Sequence, residues 1–152
     1  MDRPSWDAVW MHTAETVASR SLCSRAHVGA VIVTADNRVE AASYNGPPPH
    51  FPHGGHECVS WCPRATAAEL DPGYLDCPAS HAEANAIARS DWSALRGATV
   101  YVTGAVCFTC AKLILQTGIV KVVHQVLETD GHRMPDAVER FLRANNVIVE
   151  RF

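Results

Sequence analysis

Two short motifs constrain the fold of this chain more than any other feature: His81-Ala82-Glu83 and Cys107-Phe108-Thr109-Cys110. Each falls at or near the start of a segment with helical spacing, and a short β-branched run lies between them. A helix N-terminus favours a thiolate, because its unpaired amides and its dipole stabilise negative charge. One histidine and two cysteines spaced C-x-x-C meet the ligand count of a catalytic zinc site, which keeps its fourth position for water. On this reading His81, Cys107 and Cys110 are metal ligands. Zinc would draw the pKa of a bound water from about 15.7 toward about 7. Glu83, two residues past the histidine, would shuttle protons without binding metal. Alone, H-x-E is more often a polar helix surface, and a lone C-x-x-C serves a redox pair or a structural zinc as readily. Their conjunction carries the inference.

The elements around these motifs can be read in order. Trp6 to Ala18 spaces Trp6, Val9, Trp10, Thr13, Ala14 and Val17 as an amphipathic helix. Val28 to Val33 and Arg38 to Tyr44, joined by a turn at Asp36-Asn37, read as a hairpin. His81 to Arg89 reads as a helix with Ser80 as its N-cap. Ala98 to Thr103 is a strand, and Cys107 to Gln116 a helix stopped by Gly118. Val120 to His124 is a strand, Pro135 to Ala144 a proline-opened helix, and Val147 to Val149 a last strand. The order predicts an α/β protein, a three-layer α/β/α sandwich around a mixed five-stranded sheet, as a single domain over residues 1–152.

A Cys/His/Pro-rich insert at about 46–80 interrupts this order. Gly46 and the three prolines that follow it cannot continue a strand or helix, and Pro52, Pro63, Pro72 and Pro78 extend the irregular stretch. Loops this long are uncommon in compact domains unless something pins them. Cys58, Cys62 and Cys77 lie in it, and with Cys23 they would make a closed four-thiolate structural zinc site, with His53 or His56 able to replace one thiol. Simple burial of free thiols, or a Cys58–Cys62 disulfide on oxidation, are the alternatives.

Charge and hydropathy narrow the partners. Thirteen basic residues against sixteen acidic ones give a net charge of −3, which argues against duplex nucleic-acid binding through a broad basic face. Apolar stretches such as Ala30 to Val33 are far shorter than a membrane span, and no secretory core opens the chain, so a cytoplasmic protein is expected. A reducing compartment turns six cysteines from a disulfide framework toward metal ligands or buried thiols.

H-x-E followed by C-x-x-C is the pattern of the zinc-dependent nucleobase and nucleotide deaminases, and the chain resembles their cytidine and deoxycytidylate (dCMP) branch. The matching stretches are Cys23 to Val33, Tyr44-Asn45-Gly46, His81 to Ile87, Tyr101 to Thr103, Cys110 to Ile114 and Gly118-Ile119, in order over roughly residues 5 to 125. The resemblance implies the cytidine deaminase fold and a hydrolase that turns dCMP into dUMP and ammonia. It implies zinc on His81, Cys107 and Cys110, with Glu83 as the proton carrier. Asn45 would meet the sugar or base edge, Arg25 the 5′-phosphate, and Ala82 the substrate pocket. It also implies a homo-oligomer, dimer or hexamer, with the apolar C-terminal segment as a candidate interface.

Two positions depart from the pattern. Relatives usually carry proline directly before the first cysteine of C-x-x-C, and here Val106 stands there. The substitution should leave the ligands intact and alter how the turn meets the base. Ser43 precedes Tyr44 where nucleotide-regulated relatives often carry glycine, which weighs against control by deoxynucleoside triphosphates. Alternatives remain on the sequence alone: a deaminase of another nucleoside, nucleotide or nucleobase such as a modified cytidylate, cytidine or guanine; a non-catalytic zinc-stabilised binding module; and a thiol redox protein.

Overall fold

The computed structural model describes residues 2–52, 58–65 and 76–152. Among them run α1 (Trp6–Ala18), β1 (Gly29–Val33), β2 (Val39–Tyr44), α2 (Ala82–Ala88), β3 (Thr99–Val102), α3 (Phe108–Thr117), β4 (Lys121–His124), α4 (Pro135–Ala144) and β5 (Ile148–Arg151), with short 3₁₀ turns between. The strands form one sheet in the order β2-β1-β3-β4-β5. β1 is antiparallel to β2 and β3, while β3, β4 and β5 run parallel, so the sheet is mixed as expected.

Strand alternation sorts the core into two faces. Val31, Val33, Tyr101 and Val123 point to one side and pack on Met11 and Ala14 of α1. Ala30, Ile32, Val100, Val102 and Val122 point to the other, against buried side chains of α2, α3 and α4. Three layers result. α1 crosses so close to β1 that a Cβ on Gly29 would lie 1.9 Å from the Ala14 carbonyl oxygen, and no side chain fits there.

Local chemistry sets most boundaries. The Ser5 hydroxyl caps α1 by accepting the Ala8 N–H at 3.2 Å. Gly118 ends α3 in the left-handed region, φ +85°. Pro135 opens α4. The expected cap of α2 is corrected: His81, not Ser80, is the N-cap. Ser80 is held instead in a two-way backbone bridge with Gly46, at 3.1 and 2.9 Å, and that bridge closes the neck of the insert.

The fold gathers the site at one end of the sheet. Register pairs Gly29 with Tyr44, Val102 with His124 in the next strand, and His124 with Arg151. From this end leave the loop before β1, the loop after β2, the Thr103–Val106 turn into α3, and the polar segment after β4.

Candidate active site

His81 and Cys107 hold equivalent places, each the N-cap of a helix whose start faces this end of the sheet. His81 Nδ1 lies 3.4 Å from Cys107 Sγ and 3.5 Å from Cys110 Sγ. Tetrahedral ligands at ordinary zinc distances stand roughly 3.4–3.8 Å from one another. The donor atoms of the three residues all fall within 4.8 Å, and among the described residues they are the one such group of three metal-ligating side chains. The residues fit zinc in donor type, number and spacing.

The three side chains divide their protons unequally. Cys107 is held down to about 3, because the Cys110 thiol hydrogen-bonds to it and His81 adds a second bond, against the cost of burial. Cys110, hydrogen-bonded to Cys107 and buried, keeps the proton and is pushed up. The bond to Cys107 raises His81, which burial opposes. Glu83, in the first turn of α2, is only 3% exposed. Burial lifts its carboxyl above the ordinary carboxylate range, with His81 pulling the other way. A buried carboxyl so shifted beside a cation site is suited to carrying a proton back and forth.

The backbone leading to Cys107 is clamped from several sides. Asp130 Oδ2 accepts the Ala105 N–H at 3.2 Å and the Leu127 N–H at 3.0 Å. Arg133 Nη1 donates to the Ala105 carbonyl at 3.0 Å and lies 3.6 Å from Asp130. The Val106 N–H donates to His124 Nδ1 at 3.3 Å.

A cavity of about 540 Å³ opens against His81, a size usual for small-molecule sites. Arg25, Arg64 and Arg133 line it, with Asp130 the one carboxylate among the described lining. A second cleft of about 510 Å³ shares His81 and Arg133 and reaches Cys107, Cys110 and Phe108. Asn45 lines the first cavity, but its amide is engaged in holding the loop before β1: Oδ1 accepts the Val28 N–H at 2.8 Å and Nδ2 donates to the Ala26 carbonyl at 2.9 Å. Exposed Arg25 donates to the Arg64 carbonyl. Ala82 is fully buried in the core and lines neither cavity.

Of the four thiols expected around a second metal, Cys62 and Cys77 meet, their sulfurs 3.6 Å apart. Cys58 and Cys23 do not join them in a three-ligand group, although the Cys58 N–H donates to the Leu22 carbonyl at 2.9 Å and ties the insert beside Cys23. His53 and His56 lie outside the described residues. Sequence reasoning missed the 3₁₀ turn Glu128–Arg133, which supplies Asp130, His132 and Arg133 to the cavity. A signal was available: a polar run placed directly after a central strand, where ligand-contacting residues collect in α/β sheets.

A family profile for the cytidine and deoxycytidylate deaminase zinc-binding region matches residues 4–126. The deoxycytidylate deaminase of Mycobacterium phage D29 is 43% identical over 131 residues, 82% of this chain and 97% of the phage enzyme. That of Saccharomyces cerevisiae is 35% identical over 99% of this chain, which spans less than half (46%) of the yeast protein. The dCMP deaminase of cyanophage S-TIM5, crystallised with dCMP and dUMP, superposes with a TM-score of 0.71 at 26% identity over the whole of both chains. No helix among the described residues is long and apolar enough to cross a membrane. This chain belongs to the cytidine and deoxycytidylate deaminase family.

Proposed function

We propose that the protein is a zinc-dependent deaminase that converts dCMP and water to dUMP and ammonia. The observation that carries this is one nitrogen donor 3.4 and 3.5 Å from two sulfur donors, all three within 4.8 Å of one another, beside a buried carboxyl, at the mouth of an arginine-lined cavity. The deoxycytidylate deaminases similar to this chain support dCMP as the substrate.

His81, Cys107 and Cys110 would hold zinc, which when bound supplies a Lewis acid that makes water a nucleophile near neutral pH. Glu83 takes the proton that the attacking water loses as its oxygen bonds to C4 of the cytosine ring. The same carboxyl passes that proton to N3, then takes the second proton from the hydroxyl now on C4 and delivers it to the departing amine, so the C4–N bond breaks as ammonia forms and a uracil carbonyl remains. The burial that raises Glu83 matches it to this return of the proton. Arg25 reads the 5′-phosphate, in a cavity whose other described cations, Arg64 and Arg133, favour an anion. Asn45, fixed by Ala26 and Val28, presents its remaining donor and acceptor capacity to the sugar or base edge.

The decisive experiment is ammonia release by the zinc-loaded protein across dCMP, CMP, dCTP, deoxycytidine, 5-substituted dCMP and guanine, with Glu83→Gln alongside. Turnover concentrated on dCMP, abolished in Glu83→Gln with zinc content unchanged, is the expected result. Turnover confined to another base would retain the chemistry and replace the substrate. Loss of zinc and of folding in Glu83→Gln would make the site structural.

A structural zinc on Cys23, Cys58, Cys62 and Cys77 belongs to the same reading, supported by the Cys62–Cys77 pair and by the Cys58–Leu22 tether. It predicts two zinc ions per chain by metal analysis, falling to one in Cys62→Ser; one ion in the parent protein rejects it. Thiolate ligands suit a reducing compartment, and we place the enzyme in the cytoplasm on that ground. The homo-oligomer implied by the family resemblance would cover Ile148 and Phe152, exposed on and just after edge strand β5.

A further inference from the structure

Proline before the first ligand cysteine brings no N–H. Val106 does, and Val106 is fully buried, so its donor needs an acceptor inside the protein. The acceptor is His124 Nδ1, at 3.3 Å, on the fully buried last residue of β4. Because the amide can only donate, Nδ1 must carry a lone pair, and the ring proton sits on Nε2. Nε2 faces Glu139 Oε1 of α4 at 3.1 Å and donates to it. Glu139 in turn accepts Arg151 Nε at 2.6 Å and Arg143 Nη1 at 3.2 Å. This chain of bonds, from the C-terminal strand to the turn before α3, fixes which nitrogen is free to accept. Burial also holds His124 below its ordinary value, which keeps the ring neutral and Nδ1 available.

We propose that His124 is a positioning residue for the metal centre, taking the Val106 N–H that proline would lack and so fixing the backbone that presents Cys107. The proposal rests on Cys107 being a zinc ligand, and it assigns His124 and Val106 to one another as a matched pair. Groups that orient metal ligands indirectly are commonly worth about 10- to 100-fold in metal affinity.

The first test is independent of metal. In ¹⁵N-labelled protein the bond should produce a scalar coupling between the Val106 amide nitrogen and His124 Nδ1, with His124 shifts of the Nε2–H tautomer. The second is zinc affinity by chelator competition in the parent, His124→Leu, and Val106→Pro/His124→Leu. His124→Leu strands the amide and should bind zinc about tenfold or more weakly. The double variant has no amide to strand and should return to the parent affinity. Absence of the coupling, an unchanged affinity in His124→Leu, or a double variant as weak as the single overturns the proposal. It is equally overturned if neither variant folds, since His124 would then serve the core whether or not Val106 has a donor. A parent protein that binds no zinc would instead overturn the reading of Cys107 as a ligand.

Discussion

Asp130 is the side chain on which most of the Cys107 turn depends, and its removal should be felt in both stability and metal binding. The Asp130 side chain is 8% exposed and its carboxylate accepts two backbone N–H groups, from Ala105 and Leu127, while its other oxygen faces Arg133. In Asp130→Ala the buried Ala105 N–H loses its acceptor, a cost of about 1–3 kcal/mol. The Leu127 N–H lies nearer solvent and can rehydrate, so it adds little. Arg133, mostly buried, loses its counter-charge, and the total comes to about 2–4 kcal/mol. For a domain of this length each kcal/mol lowers Tm by roughly 2–4 °C, so a fall on the order of 5–15 °C is expected. Asp130→Asn keeps an oxygen for the two amides and loses the charge. Charge-assisted bonds are about twice as strong as neutral ones, so the cost should be about 1 kcal/mol. The assay is thermal unfolding of the zinc-loaded protein together with zinc affinity, and both should fall in the order Asp, Asn, Ala. A Tm for Asp130→Ala equal to the parent's, or an Asn variant as damaged as the Ala variant, would refute the accounting.

Two further predictions rest on other parts of the fold. Gly29→Ala drives a Cβ into the backbone of α1, 1.9 Å from the Ala14 oxygen, and should cost about 3 kcal/mol by overpacking; calorimetry showing an undiminished Tm would mean that α1 does not cross β1 there. Acidification should destabilise the protein through His124, whose neighbours are Glu139 on α4, Arg151 on β5 and Asp130 after β4. The unfolded ring gains its proton as pH falls through its ordinary 6.5, the folded ring only at lower pH, so stability is present above 6.5 and lost below it. Burial pushes Glu139 up, but the bonds from Arg151 and His124 outweigh this, and its contribution is lost only below its ordinary 4.5. Tm measured from pH 7.5 to 5.5 should therefore fall less steeply in His124→Leu than in the parent, and equal slopes would exclude His124 as the cause.

The sheet and helices were legible because their determinants are local. The expected bounds of the first and last helices coincide with those of α1 and α4, where periodicity, a serine cap and a proline act within one turn. The cluster of His81, Cys107 and Cys110 was legible for a similar reason, since each motif is short and only their convergence needed the fold. What sequence could not supply was the partner of each backbone group in the turns. Ser80 looked like a cap because serine usually is one, but its backbone pairs with Gly46 across the insert's neck. The two bonds by which the Asn45 amide holds the loop before β1 were likewise not encoded in any local pattern. Asp130, Arg133 and His124 act on Ala105 and Val106 from 18 to 28 positions away, and no local pattern encodes such a bond.

Because His81 occupies the N-cap of α2 and its imidazole makes no capping bond there, helix stability and the metal binding proposed for His81 compete for one side chain. Serine or aspartate at this position would improve the helix by about 1 kcal/mol. A library enriched for heat resistance without a catalytic screen should drift toward those residues at 81, and the hardiest survivors would be the ones that deaminate nothing. The enzyme's margin against unfolding is therefore set, at this position, by the reaction it performs.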